Sequence, residues 1–397
     1  MYRIGEEELR ELRKVLESKN LFRVGDPKAG HLQEVERFER EWAEKIGTKY
    51  ALLLSGGGTA ALMCGLAGMG IGPGDEVLIP AYTFMASASA VLAVGAIPVV
   101  AEIDDTCTID PEDMEKKITP GTKAIIPVHM VGIPCNMQAI TGIAKKAGIK
   151  VLEDSCQADG GSFKSKRLGA WGDAGAFSFN YYKILSCGEG GCLVTNDKLI
   201  YERASIFGDS GTAFRSYAGE FSVPIFVGLQ LRASEVMGAI MRIQLQRLEG
   251  ILSDLRRIKK RFIGELSGKP GIAFSRSNDI EGDCGVVVSF RFENEEKARS
   301  FASYEGVSGW RPLDSEKHVF FNWEPIVEKR IWHHPIMNPY NFPQNKKLRL
   351  NYTKEMYPKS LDNLGRTVFV HVNPDWTEEE VKNRIEACEK AAVEINT

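Results

Sequence analysis

Apolar side chains recur at positions 9, 12, 15 and 16 of the opening segment EEELRELRKVLESK (6–19), the spacing of an amphipathic helix. Leu32, Val35, Phe38, Trp42 and Ile46 repeat that spacing, and Gly47 ends the second predicted helix. The period then changes. YALLLS (50–55), EVLIP (76–80), IPVVAEI (97–103), AIIPVHM (124–130), KVLEDS (150–155), AGAFSF (174–179) and GCLVTN (191–196) are apolar runs of strand length. TAALMCGLAGMG, ASASAVLAVG and the 136–148 region read as helices between them. Strands alternating with helices predict an α/β fold, a mainly parallel sheet with helices on both faces. Ligands of such sheets bind beyond the carboxyl ends of the strands. Helical spacing returns over 233–266, from Val236 through Ile258, and this long helix leads out of the large domain. GVVVSFRFE (285–293) and TVFVHV (367–372) predict strands of a second unit, and Thr377-x-x-Glu380 is a capping box ahead of a last helix. The expected division is an N-terminal helical arm (1–25), a large domain (26–255) and a smaller C-terminal α+β domain (256–397).

Composition narrows the class. With 43% hydrophobic and 26% charged residues over 397 positions, the chain is neither disordered nor fibrous. Lys+Arg number 50 against 53 Asp+Glu, and no long basic run occurs, which argues against a nucleic-acid partner. The eight cysteines are scattered without a C-x-x-C pair, as expected of reduced thiols in a cytoplasmic protein. MYRIGEEELRELRKVL has no apolar core, so it does not read as a signal peptide. Residues 77–101 carry no charge and are long enough to span a bilayer. Pro80 and Pro98 bracket them, however, and Thr83, Ser87 and Ser89 lie inside, so strand, helix and strand is the expected reading and no membrane is implied.

Three segments carry chemistry. In SGGGTAAL (55–62) a strand runs into three glycines and Thr59 opens a helix, so bare N–H groups and a hydroxyl make an anion cradle. Gly56-x-Gly58-x-x-Ala61 also matches a relaxed dinucleotide fingerprint, but Asp75 lies in a turn before the next strand rather than after it, which favours a single phosphate. In VLEDSCQADG (151–160) an apolar strand ends in Glu153-Asp154. A carboxylate there points into the ligand crevice and suits a metal, a ribose or a protonated ring nitrogen; Glu153 reads as an ordinary surface acid. In GAFSFNYYKILSCGEGG (175–191) Ser178 ends a strand, and Lys183 follows among Tyr181, Tyr182, Ile184 and Leu185. A lysine in an apolar, aromatic setting suits Schiff-base chemistry. Anion cradle, aspartate, hydroxyl and lysine, in that order along an α/β chain, are what pyridoxal 5'-phosphate (PLP) requires.

With SGGGTAAL, GPGDEVLIPAYTF, VGAIPVV, KAIIPVHMVGIP, VLEDSCQADGG, GDAGAFSFNYYKILSCGEGGCLVTND and GLQLRASEVMGAI in one order, the chain resembles the DegT/DnrJ-type sugar aminotransferases, PLP enzymes of fold type I. The resemblance covers residues 20–250 closely and the remainder more loosely. It implies that Lys183 forms the Schiff base with PLP and shuttles a proton, and that Asp154 pairs with the pyridinium nitrogen. It further implies that Gly57, Gly58, Thr59 and Ser178 hold the phosphate, that Phe84 stacks on the ring, and that Gln157 lies near the ring hydroxyl. Gln230 stands where the family usually has an asparagine that reaches the neighbouring subunit's phosphate, and Gly57 replaces a more usual Ser or Asn. A homodimer with shared sites is therefore implied.

The activity implied is transfer of an amino group from an amino acid, glutamate above all, to a keto-sugar, ping-pong through pyridoxamine phosphate. Nucleotide-linked hexosuloses, keto-cyclitols and oxidised octulosonates all fit. The lack of a basic run for a diphosphate favours a small free keto-sugar. The alternatives are a PLP-dependent sugar dehydratase or lyase, and a non-catalytic regulatory protein on the same fold. Relatives that dehydrate sugars carry His in place of the lysine, and Lys183 with Asp154 argues for transamination. The aromatic and polar segment 318–343 offers His318, Asn322 and Trp323, with His333 and His334, for hydroxyl recognition. No residues have metal-ligand spacing, and none is expected to bind a metal.

Overall fold

A computed structural model describes residues 2–395. Seven strands form the central sheet: β1 (Tyr50–Leu54), β2 (Glu76–Pro80), β3 (Ile97–Ala101), β4 (Thr122–Ile125), β5 (Lys150–Asp154), β6 (Ala174–Ser178) and β7 (Gly191–Thr195). Their spatial order is β1-β7-β6-β5-β4-β2-β3. Only β7 runs against its neighbours, β1 and β6; the β6–β5, β5–β4, β4–β2 and β2–β3 pairs are parallel. Six carboxyl ends therefore meet one edge of the sheet, and β7 starts from that edge. All seven strands expected from the sequence are present. The run 124–130 leaves the sheet early because Pro127 has no N–H to donate; its carbonyl accepts the Asp154 N–H at 2.8 Å. The uncharged stretch 77–101 resolves into β2, the helix Ala86–Ala93 and β3, and no described helix is long and apolar enough to cross a membrane.

Near-continuous apolar strands need both faces covered. The helix Glu34–Ile46 buries Val35, Phe38, Trp42 and Ile46 on one face, and its C-cap Gly47 takes φ +83°. Trp42 packs edge-on against Phe177 of β6 and against Phe179, with ring centroids 5.0 and 5.4 Å apart. The helix Glu6–Ser18 is held on the long helix Glu235–Leu266 by Glu8, which accepts hydrogen bonds from Gln244 and Arg247. That long helix is unbroken through residues 255 and 256, so a division of the chain there falls inside one element.

The C-terminal part forms a three-stranded antiparallel sheet, β8 (Val287–Arg291), β9 (Gly309–Trp310) and β10 (Thr367–His371), in the order β8-β10-β9. Thr377 caps the helix Glu378–Glu394 in the expected reciprocal box with Glu380. β9 is two residues long and exists only through its pairing with β10, so no local pattern announces it. The segment 318–343 is a run of short turns and single-turn helices broken by prolines.

Candidate active site

The convergent strand ends, the 128–131 loop and the C-terminal sheet enclose a cavity of about 950 Å³. Gly57, Gly58, Thr59, Phe84, Asp154, Gln157, Ser178, Lys183 and His318 all line it; Gln230, Asn322 and Trp323 do not.

The floor is the start of the helix Gly57–Gly68, which no side chain caps. Gly57 has φ +68°, a conformation that favours glycine. A Cβ on Gly58 would lie 2.5 Å from Cys156 Sγ, and one on Gly191 only 2.2 Å from the Gly57 carbonyl oxygen. The strand ends therefore meet through backbone, and the helix N-terminus is left bare toward the cavity beside the Thr59 and Ser178 hydroxyls. Such a donor set suits a phosphate.

Asp154 ends β5. Its Oδ2 accepts from Ser87 Oγ at 2.9 Å and its Oδ1 from the Cys156 N–H at 3.2 Å, while Ser87 is linked to Thr83 at 2.7 Å. Gln157 Oε1 accepts the Val131 N–H at 2.9 Å, which leaves its amide N–H groups free to donate. Val131 itself sits at φ +47°, a strained conformation for a β-branched residue, on the cavity wall. Among the described residues Lys183 Nζ has no ion-pair partner. Tyr181 and Tyr182 line the same cavity as Lys183 and are 62% and 74% exposed.

Phe84 is partly exposed and lies 5.8 Å from the His318 ring. His318 is locked onto this loop: its carbonyl accepts the Thr83 N–H, and its Nδ1 shares a hydrogen bond of 2.5 Å with Ser315 Oγ. Burial, with Lys317 and Lys183 nearby, lowers its pKa to about 4, so the ring is neutral and polar rather than cationic.

Four expectations need correction. Trp323 is a core residue whose indole N–H goes to the Lys317 carbonyl at 3.1 Å. Asn322 is exposed on a turn away from the cavity. His333 and His334 are exposed, and His334 caps the turn Pro335–Met337. Glu153 is no surface acid: it is fully buried and accepts the N–H groups of Gly169, Trp171 and Gly172 at 2.6–2.9 Å. His129 Nδ1 accepts the Cys135 N–H, so the ring proton is on Nε2 and is donated to Glu153 at 3.2 Å. Residues the sequence did not flag also line the cavity, among them Tyr2, Trp310, His371 and Asn373. No local signal marks them, because distant chain segments bring them in. Gln230 is exposed, in a bridge with Asp209, so it does not serve its own chain's cavity. Among the described residues no His/Cys/Asp/Glu group has metal-binding geometry.

An anion cradle, a hydrogen-bonded carboxylate and an uncommitted primary amine thus face one cavity. This set fits a phosphorylated aromatic aldehyde with a ring nitrogen. The comparisons with known proteins agree. The sequence model of the DegT/DnrJ/EryC1/StrS aminotransferase family matches residues 2–389. The chain is 32% identical over 392 residues to the spore coat polysaccharide biosynthesis protein SpsC of Bacillus subtilis (strain 168), covering 97% of this chain and 94% of that one. It is 35% identical over 276 residues to the dTDP-3-amino-3,4,6-trideoxy-alpha-D-glucose transaminase of Streptomyces venezuelae, covering 69% and 71%. It is also similar to the solved structure of S. venezuelae DesV in complex with a ketimine intermediate, with TM-score 0.76, 28% identity and 97% and 94% coverage.

The backbone contact under the cradle gives a prediction. Gly191→Ala drives a methyl into the Gly57 carbonyl and should cost about 1–3 kcal/mol of stability. Urea unfolding would show this as a lower midpoint with an unchanged slope.

Proposed function

The chain belongs to the DegT/DnrJ/EryC1/StrS aminotransferase family and is an aminotransferase of fold type I, and from that premise we propose that it uses PLP to move an amino group from glutamate to a keto-sugar. The observation that carries this reading is the single cavity on which Lys183, Asp154 and the Gly57–Thr59 cradle converge.

In this reading Gly57, Gly58, Thr59 and Ser178 hold the cofactor's phosphate, Asp154 faces its ring nitrogen, Gln157 donates to its ring hydroxyl, Phe84 covers the ring, and Lys183 holds its aldehyde. Bound there, the cofactor supplies an electron sink for the bond broken at the donor's α-carbon. Asp154 keeps a proton on the ring nitrogen, and its bond from Ser87 fixes its orientation. Lys183, once free, carries a proton to and from the reacting carbon as general base and acid. Both half-reactions use the same cavity in turn, which is the ping-pong order. The C-terminal side, with His318, Trp310, His371 and Asn373, offers aromatic faces and neutral polar groups suited to sugar hydroxyls. Screening free and nucleotide-linked keto-sugars for glutamate-dependent amination tests the function. Release of 2-oxoglutarate with no aminated sugar from either set would reject it.

The exposed Gln230 and the exposed apolar side chains near it, Phe214, Val227 and Leu229, support a homodimer in which Gln230 reaches the partner's phosphate group.

Three outcomes are expected. Lys183→Ala should lose at least about 10³-fold in turnover, and borohydride treatment of the loaded wild type should label the peptide carrying Lys183. Asp154→Asn keeps the shape of the side chain but not its charge, and turnover should fall on the order of 10²–10⁴-fold; near-normal activity would remove Asp154 from the mechanism. Sedimentation should give twice the chain mass, and Gln230→Ala should weaken PLP affinity without changing that mass.

A further inference from the structure

Once Lys183 is joined to an aldehyde it is no longer free to pair with a substrate, and an incoming molecule meets the charged side chains that remain. Among the described lining residues these are Asp154, Glu189 and Lys317; no arginine lines the cavity. Asp154 is bonded to Ser87 and to the Cys156 N–H, and Glu189 accepts from Asn180 Nδ2 at 3.1 and 3.0 Å. Burial, with Lys317 and Lys183 nearby, lowers His318 to about 4, and burial also lowers His371, so neither ring brings a positive charge at neutral pH. Among the described residues Lys317 is thus the one cation that the wall of this cavity presents to a substrate.

Its place is built from the backbone. The Lys317 carbonyl accepts the Met85 N–H at 3.3 Å and the Trp323 indole N–H at 3.1 Å, and the next carbonyl, of His318, accepts the Thr83 N–H at 2.9 Å. Residues 317 and 318 are therefore tied to the Phe84 loop on one side and to the buried Trp323 on the other. The Lys317 side chain is exposed and reaches over Tyr182, with Nζ 5.6 Å from the ring centroid. Lys317, Tyr181 and Tyr182 are at once exposed and cavity-lining, so they mark the opening of the cavity. A cation resting on an aromatic face keeps its hydrogen-bond donors for other groups. Among the described residues Lys317 has no ion pair to occupy them.

An amino-acid donor always brings a carboxylate, and taking a carboxylate out of water is unfavourable unless a cation or a set of N–H groups receives it. We propose that Lys317 is a specificity-determining residue that receives an oxyanion of the incoming substrate at the opening of the cavity, over the Tyr182 ring. That oxyanion has two sources, the carboxylate of the amino-acid donor and a phosphate carried by the acceptor. The proposal rests on the functional reading given above and adds to it the residue that selects a charged substrate.

The experiment compares the PLP-loaded wild type with Lys317→Met, which keeps the apolar stem, and Lys317→Arg, which keeps the charge. One arm follows the first half-reaction with L-glutamate and no sugar, read as the change in visible absorbance. The other measures the Kd of inorganic phosphate by calorimetry. If the donor carboxylate is the source, Lys317→Met lowers kcat/KM for glutamate by roughly 10–100-fold, through KM rather than the limiting rate. If an acceptor phosphate is the source, glutamate kinetics stay as in the wild type and phosphate binding weakens by a similar factor. In either case Lys317→Arg lies close to the wild type. The proposal is overturned when Lys317→Met leaves kcat/KM for glutamate within about twofold of wild type and removes no phosphate binding. Lys317→Arg as impaired as Lys317→Met also overturns it, because shape and not charge is then what counts. A loaded wild type that glutamate does not convert rejects glutamate as the donor in the functional reading, whereas the phosphate arm needs no turnover and still decides the role of Lys317.

Discussion

The buried carboxylate of Glu153 is the fixed point of the site. It receives three backbone N–H groups from the 169–172 turn and the Nε2–H of His129, and so ties the approach to β6 and the loop after β4 to the end of β5. Charge-assisted bonds of this kind are strong where water is excluded, and losing the acceptor would strand four donors. Because side chains alternate along a strand, the next residue, Asp154, must point the other way. One acid is spent on holding the scaffold and its neighbour is delivered to the cavity.

Parallel strands extend that logic. With six carboxyl ends on one edge, the loops that follow β1, β2, β4, β5 and β6 supply Gly57–Thr59, Phe84, Val131, Gln157 and Lys183 to one space. Close approach there is possible only because backbone meets backbone at Gly57 and Gly191. The site also sorts its charges. His318 is kept neutral by burial beside two lysines, and both oxygens of Asp154 accept hydrogen bonds. The N-terminal arm joins this arrangement through Gln244 of the long helix. Its amide donates to the Arg3 carbonyl and to Glu8 and accepts the Ser186 N–H, linking the arm that carries Tyr2 to the lysine loop.

By itself the sequence determined the elements with a strong period or a clear stop: the seven strands, the helices 34–46 and 235–266, and the capped helix after Thr377. It also determined the order of Gly58, Thr59, Asp154, Ser178 and Lys183, because these residues sit at strand ends that apolar runs and glycines make visible. It could not tell Glu153 from a surface acid, since which of two adjacent carboxylates turns inward depends on strand pleat and on donors 16 to 24 residues away. Trp323 and Asn322 looked like sugar contacts because composition reports the kind of side chain and not its direction; packing turned one into the core and the other to the surface. Tyr2, Trp310 and His371 entered the cavity only once segments far apart in the chain were folded together. Proximity of that kind comes from long-range packing, and no local period encodes it.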